Sequence, residues 1–130
     1  MVWQAAPGAT LLVPSGEKKH LHVVVLGPVP VQGYGNANQI ALVSITTKYP
    51  GVPFDSACEV AAGEHDFIRH DSWVAYKYLR IDSEAHAHAR IADHIWIEHI
   101  ACSEALLQRI RAGVCVSRFT SGEFRRMFGC

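Results

Sequence analysis

His20 and His22 flank Leu21 directly after Lys18 and Lys19, a locally dense basic group. On an extended strand, residues two apart share a face, so both imidazoles project to one side and Leu21 to the other. A histidine carried on a strand is held rigidly enough for proton transfer, and neighbouring lysines supply charge for a phosphate. The group therefore reads either as a phosphate-binding corner with acid–base capacity or as a solvated hairpin tip. Thr46 and Thr47 close a later β-branched run. A hydroxyl pair at a strand end is a turn signal or, beside a basic hairpin, holds a scissile phosphate or orients the attacking group.

A second cluster runs His65-Asp66-Phe67-Ile68-Arg69-His70-Asp71-Ser72-Trp73. As a binding surface, Arg69, His70 and Trp73 grip a nucleotide by charge and by stacking. As a plain loop, the stretch is anchored by Phe67, Ile68 and Trp73, with Asp71 and Ser72 making turn hydrogen bonds. His65, Asp66, His70 and Asp71 also offer donors for a metal-dependent hydrolase if the fold brings them together. The other histidines add no recognisable ligand set. His86 and His88 fall on different helix faces, His94 and His99 are five apart, and no H-E-x-x-H occurs. No G-x-G-x-x-G or Walker-type loop is present either, which argues against a dinucleotide or nucleoside-triphosphate cradle.

The elements that must position these residues begin with strands. Thr10–Val13 is a short β-prone run ended by the turn chemistry of Pro14-Ser15-Gly16. Leu21–Leu26 is rich in valine and is predicted to stop at Gly27-Pro28, with a loop then leading to the strand Gln39–Thr47. Ala57–Ala61 and Trp73–Ile81 follow as a further pair. Large side chains alternate onto both faces of Trp73–Ile81, which suits a curved sheet covered on both sides or a subunit contact, and so a homodimer. Ser83 is placed to cap a helix over Glu84–Asp93, and Ile95–Ile100 is a short β-prone run. Ser103 opens a helix over Glu104–Ala112 with Gly113 at its expected stop, and Thr120–Gly129 predicts one more helical turn. Strands first and helices last predict an α+β domain, residues 1–130, built on a curved antiparallel sheet or small barrel with helices toward the C-terminus.

Composition narrows the function classes. Apolar residues make up 49% of the 130 residues and charged ones 18%, too apolar for a disordered tail. Twelve basic and twelve acidic side chains cancel, which excludes a polybasic nucleic-acid arm and leaves room for a small, directed phosphate site. Along the chain, Lys18–His22 and Arg118–Arg126 are offset by acids between Asp55 and Glu104. Cys58, Cys102 and Cys115 sit among apolar residues and are expected as small buried side chains, and Cys130 as an exposed thiol. The N-terminal stretch has neither a basic nor a long apolar segment, and the apolar runs Val23–Leu26 and Ala41–Val43 are far too short to span a bilayer. A cytoplasmic protein without a membrane partner is expected.

The order of these segments resembles the MazF/PemK toxin family: a short strand at Thr10–Val13, a basic turn at Glu17–His20, an apolar strand at His22–Leu26, the run Gln39–Thr47, a late strand in a D-S-W-V setting and a closing helix. The resemblance spans residues 10–115 and lies in order and spacing. It implies a small SH3-like barrel that acts as a homodimer, cleaves single-stranded RNA without metal or other cofactor, and is neutralised by an antitoxin. Where the family carries Arg-Pro, this chain carries His20-Leu21-His22, so one of these histidines replaces the arginine in that reading. Thr46 or Thr47 takes the family's hydroxyl position, with Lys18 and Lys19 facing phosphate. A non-enzymatic barrel from a phage, plasmid or toxin–antitoxin locus, binding a partner protein, is the alternative. The metal-dependent hydrolase at His65–Asp71 is the third.

Overall fold

Alternating apolar positions draw the first two-thirds of the chain into one antiparallel sheet, seen in a computed structural model that describes residues 3–130. The first two residues of the N-terminal stretch lie outside it. The strands are β1 (Thr10–Ser15), β2 (Lys18–Pro30), β3 (Asn38–Thr47), β4 (Glu59–Val60), β5 (Ser72–Ser83) and β6 (Ile97–His99), and the helices α1 (Glu84–Ala92), α2 (Glu104–Val116) and α3 (Gly122–Met127). The sheet runs in the order β4-β5-β3-β2-β1-β6 and curls into a half-barrel, with the helices toward the C-terminus. This is the expected α+β class.

Each face of the sheet buries a different set of side chains. On one, Leu21, Val23, Val43, Ile45, Val74 and Tyr76 pack against Leu106, Leu107, Ile110 and Val114 of α2 and Phe124 of α3. The α2 residues recur at helical spacing, so the helix presents one apolar stripe to the sheet. Each such side chain taken fully from water stabilises the fold by roughly 1.5–3 kcal/mol. On the other face, Leu11, Val13, Val24, Ile40 and Leu42 pack with Trp3, Ala87 of α1 and Trp96. This second cluster covers only part of its face.

Serine side chains start all three helices. Ser83 Oγ accepts from His86 N at 3.0 Å, Ser103 Oγ from Leu106 N at 3.1 Å and Ser121 Oγ from Phe124 N at 3.4 Å, satisfying donors that have no partner within the helix.

Several expectations are corrected. β1 runs through Pro14 to Ser15, and β2 does not stop at Gly27-Pro28 but continues to Pro30. Register shifts between Val24 and Leu26 and between Leu26 and Val29 absorb the irregular residues, since a bulge demands less regular donors than a continuous ladder. Gly27 sits there at φ 94°, where a Cβ would collide with the Gln39 carbonyl. α2 passes Gly113 and ends at Val116. That glycine makes room for Tyr76 rather than ending the helix. Cys115 and Cys130 are neither a buried thiol nor an exposed one, because they form a disulfide that ties the C-terminal residue to the last turn of α2. Cys58 is buried as expected and Cys102 is half-buried, both as free thiols.

β5 also departs from plain alternation. Between the pairs Leu42↔Arg80 and Ser44↔Ala75, β3 advances two residues and β5 five, leaving three residues of β5 without opposite numbers. Tyr76 and Leu79 turn into the α2 core, while Lys77 and Tyr78 are exposed. Ala75 and Arg80, an odd number apart, are thereby brought to the same face. No helix among the described residues is long and apolar enough to cross a membrane.

Candidate functional site

The part of the sheet face that α1 leaves uncovered is a cleft of about 810 Å³. Cross-strand pairing assembles its floor. His22 lies opposite Ser44, Ser44 opposite Ala75, and Thr46 opposite Trp73, while His20 sits across from Val13 on the other side of β2. His20, His22, Ser44, Thr46, Trp73 and Ala75 all line the cleft, with Lys77, Tyr78, Leu79 and Arg80 of the bulged strand as its wall. A period of two on neighbouring strands thus turns residues distant in sequence into one surface.

His22 is the most constrained of these groups, at 6% exposure. Its Nδ1–H donates to the His20 carbonyl at 3.0 Å, which leaves Nε2 as the nitrogen with a free lone pair. Burial pushes its pKa down to about 4, against the opposing effect of the His20 carbonyl, and the nearby charge of Arg80 adds to the lowering. At neutral pH this imidazole is uncharged and able to accept a proton. An uncharged imidazole with an open nitrogen can accept a proton, but the lowered pKa makes it a weaker base than one titrating near the working pH.

Arg80 is fixed at the border between the cleft and the α1 cluster. Its Nε donates to Asp82 Oδ2 at 2.6 Å and its Nη2 to Asp82 Oδ1 at 3.1 Å. The guanidinium also lies 5.5 Å from the Trp96 ring centre. Asp82 is buried and faces His86 Nδ1 at 3.2 Å as well. The fork geometry aims Arg80 firmly but offsets part of its charge. Lys77, by contrast, carries no carboxylate partner within ion-pair distance among the described residues.

Of the residues singled out in the sequence, His20, His22, Thr46 and Trp73 converge on the cleft. The others stand apart. Thr47 pairs with Ser72 one position further along, and neither lines the cleft. Lys18 and Lys19 lie at the exposed β1–β2 hairpin end, where Lys18 Nζ donates to the Tyr49 hydroxyl at 3.3 Å. Arg69 and His70 are exposed on the loop before β5 and do not reach the cleft. Ser44, Lys77, Tyr78 and Arg80 are among the lining residues that sequence reading passes over. Ser44 shares its face with Thr46 by simple alternation, a signal available in the sequence; Arg80 does not, because the bulge reverses its side.

The His65–Asp71 cluster is a structural loop. His65 is buried, accepts from Phe67 N–H through Nδ1 at 3.0 Å and donates through Nε2 to the Ile100 carbonyl at 2.7 Å. Both ring nitrogens are therefore engaged. Asp71 Oδ1 accepts from Ala62 N at 3.1 Å. Among the described residues, no group of three or more His, Cys, Asp or Glu side chains could hold a metal ion. Compared with protein-family models, curated proteins and solved structures, the chain matches none.

Proposed function

We propose that the cleft binds single-stranded RNA and cleaves it without a metal. What carries the reading is the convergence of His20, His22, Thr46 and Trp73 on one surface, with His22 held uncharged and its Nε2 unengaged. In this reading Nε2 of His22 removes the proton of a ribose 2′-hydroxyl, whose oxygen bonds to the adjacent phosphorus. The P–O5′ bond breaks, and His20 returns a proton to the departing oxygen. Thr46 and Ser44 hydrogen-bond the phosphate oxygens, and Lys77 and Arg80 stabilise the charge that develops on them. Trp73 supplies a stacking surface for a base. The products are a 2′,3′-cyclic phosphate and a free 5′-hydroxyl.

This is the activity that the resemblance to MazF/PemK toxins implies, with cytoplasmic RNA as substrate. A second copy of the chain or an antitoxin is the matching protein partner. Tyr78, 62% exposed at the rim of the cleft, favours such a contact. The same observation supports the alternative of a partner-binding barrel without catalysis.

Incubating the pure protein with a fluorophore–quencher RNA in EDTA tests the proposal. Cleavage is expected, with His22→Ala slower by roughly 10²–10⁴-fold, the usual contribution of a positioned proton acceptor. Thr46→Ala is expected to cleave more slowly and Thr47→Ala at the full rate. Intact RNA after prolonged incubation, or full activity in His22→Ala, would overturn it.

A further inference from the structure

A second, smaller cavity of about 260 Å³ adjoins the cleft, walled by the aromatic side chains Phe54, Trp73, Tyr78 and Phe119. Trp73, Lys77 and Tyr78 line both spaces, so a ligand seated in one continues into the other. We infer that this slot receives one unpaired nucleobase of the strand whose phosphate lies in the cleft. The inference rests on the RNA-binding reading and adds to it the subsite that grips the neighbouring base.

Size, lining and charge all point to such an occupant. The slot is smaller than the roughly 300–1,000 Å³ that extended ligands fill, so it suits a single ring system. Aromatic side chains on several sides favour a flat π-surface, which every base has. Lys77 and Arg118 stand at its edge, placed to favour the anionic backbone attached to a base over a neutral aromatic side chain. The one acidic lining residue, Asp55, already accepts from Ser117 Oγ at 2.5 Å and from Ala57 N at 3.0 Å.

Those bonds also make the slot a built feature. Asp55 on one wall is tied to Ser117, and Ser117 Oγ accepts from Phe119 N at 3.0 Å on the other. The Cys115–Cys130 disulfide brackets the same segment. Phe54 and Phe119 are 41% and 43% exposed, far more open than core residues. The Phe54 ring centre lies 6.4 Å from that of Trp73, and the Arg118 guanidinium lies 4.9 Å from the Phe119 ring centre.

Binding of a five-nucleotide 2′-fluoro RNA, which lacks the attacking hydroxyl, tests the inference by fluorescence anisotropy without turnover. Phe119→Ala and Phe54→Ala are each expected to weaken binding about tenfold or more, as loss of one stacking partner does. Scanning an abasic position along the oligonucleotide is expected to find one site where wild type loses affinity and Phe119→Ala loses no more. Equal affinity of wild type and both variants would overturn the slot while leaving the cleft reading intact. If wild type binds no oligonucleotide, the cleft reading falls, and titration with uridine and adenosine 5′-monophosphates decides the slot alone. Shifts of Phe119 and Trp73 ring resonances with nucleotide but not with inorganic phosphate would support it. Their absence, or equal shifts with phosphate, would overturn it.

Discussion

Tyr76 on β5 occupies the space that a side chain at Gly113 of α2 would need. Its hydroxyl donates to the Ile110 carbonyl at 2.7 Å, so the ring is held in place and cannot swing aside. Burial keeps this phenol well above the usual tyrosine range, consistent with a hydroxyl that remains a donor. Replacing a mid-helix glycine by alanine ordinarily stabilises a helix by about 1 kcal/mol. Gly113→Ala is expected to do the opposite, costing roughly 2 kcal/mol as sheet and helix are forced apart. Tyr76→Phe in the same chain should relieve part of that loss, because it removes the nearest colliding atom. Urea unfolding of wild type and the two variants checks both effects.

A pH effect on stability follows from His22. Its folded pKa of about 4 lies below the ordinary 6.5, so between those values the unfolded chain binds a proton that the folded chain refuses. The stability this residue contributes is complete above pH 6.5 and falls as pH drops, levelling off below about 4. The full span is on the order of 3 kcal/mol. His22→Gln should flatten the melting temperature between pH 4 and 7 relative to wild type. An equally steep acid decline in both proteins would refute it.

Arg80 offers a direct electrostatic test. With a backbone phosphate in the cleft, Arg80→Ala is expected to weaken RNA binding at low salt and to lower the dependence of log affinity on log salt by about one unit. Asp82 would lose its fork partner as well, so thermal unfolding must be followed alongside. An unchanged salt slope in a folded variant would remove Arg80 from the phosphate site.

The Cys115–Cys130 disulfide closes a span of 15 residues. Loop-closure entropy assigns such a link about 3 kcal/mol. Cys115→Ser with Cys130→Ser is expected to melt on the order of 10 °C lower. Because Arg118 and Phe119 lie inside the closed loop, nucleotide affinity at the slot should fall more than the rate of RNA cleavage. Calorimetry and the anisotropy assay separate the two.

The sequence makes some of this site legible and hides the rest for definite reasons. His20 and His22 can be assigned to one face because strand alternation holds through this part of β2, before the slip that follows Val24. Thr46 and Thr47 stay alternatives in the sequence and Trp73 groups there with Arg69 and His70, because alternation within one strand does not say which strands pair. The serine caps mark the helix starts. Arg80 is hidden because the unpaired residues of β5 reverse its side, and no local signal in a run of large residues announces a bulge. Gly113 looks like a helix stop because the ring that needs its empty space comes from a distant strand. Nor does the spacing of Cys115 and Cys130 reveal their pairing, since it depends on α3 folding back toward α2. His65 and its neighbours suggest chemistry by composition alone; burial and hydrogen bonding commit His65 to a loop.

Every residue lining the cleft belongs to β1, β2, β3 or β5. Its wall comes from surplus length within β5, not from a loop that must close over a guest. A ligand entering it would freeze few main-chain torsions, so little of the contact energy is spent on ordering the receptor. Encounter should be limited by diffusion and desolvation, and not by waiting for a gate to open.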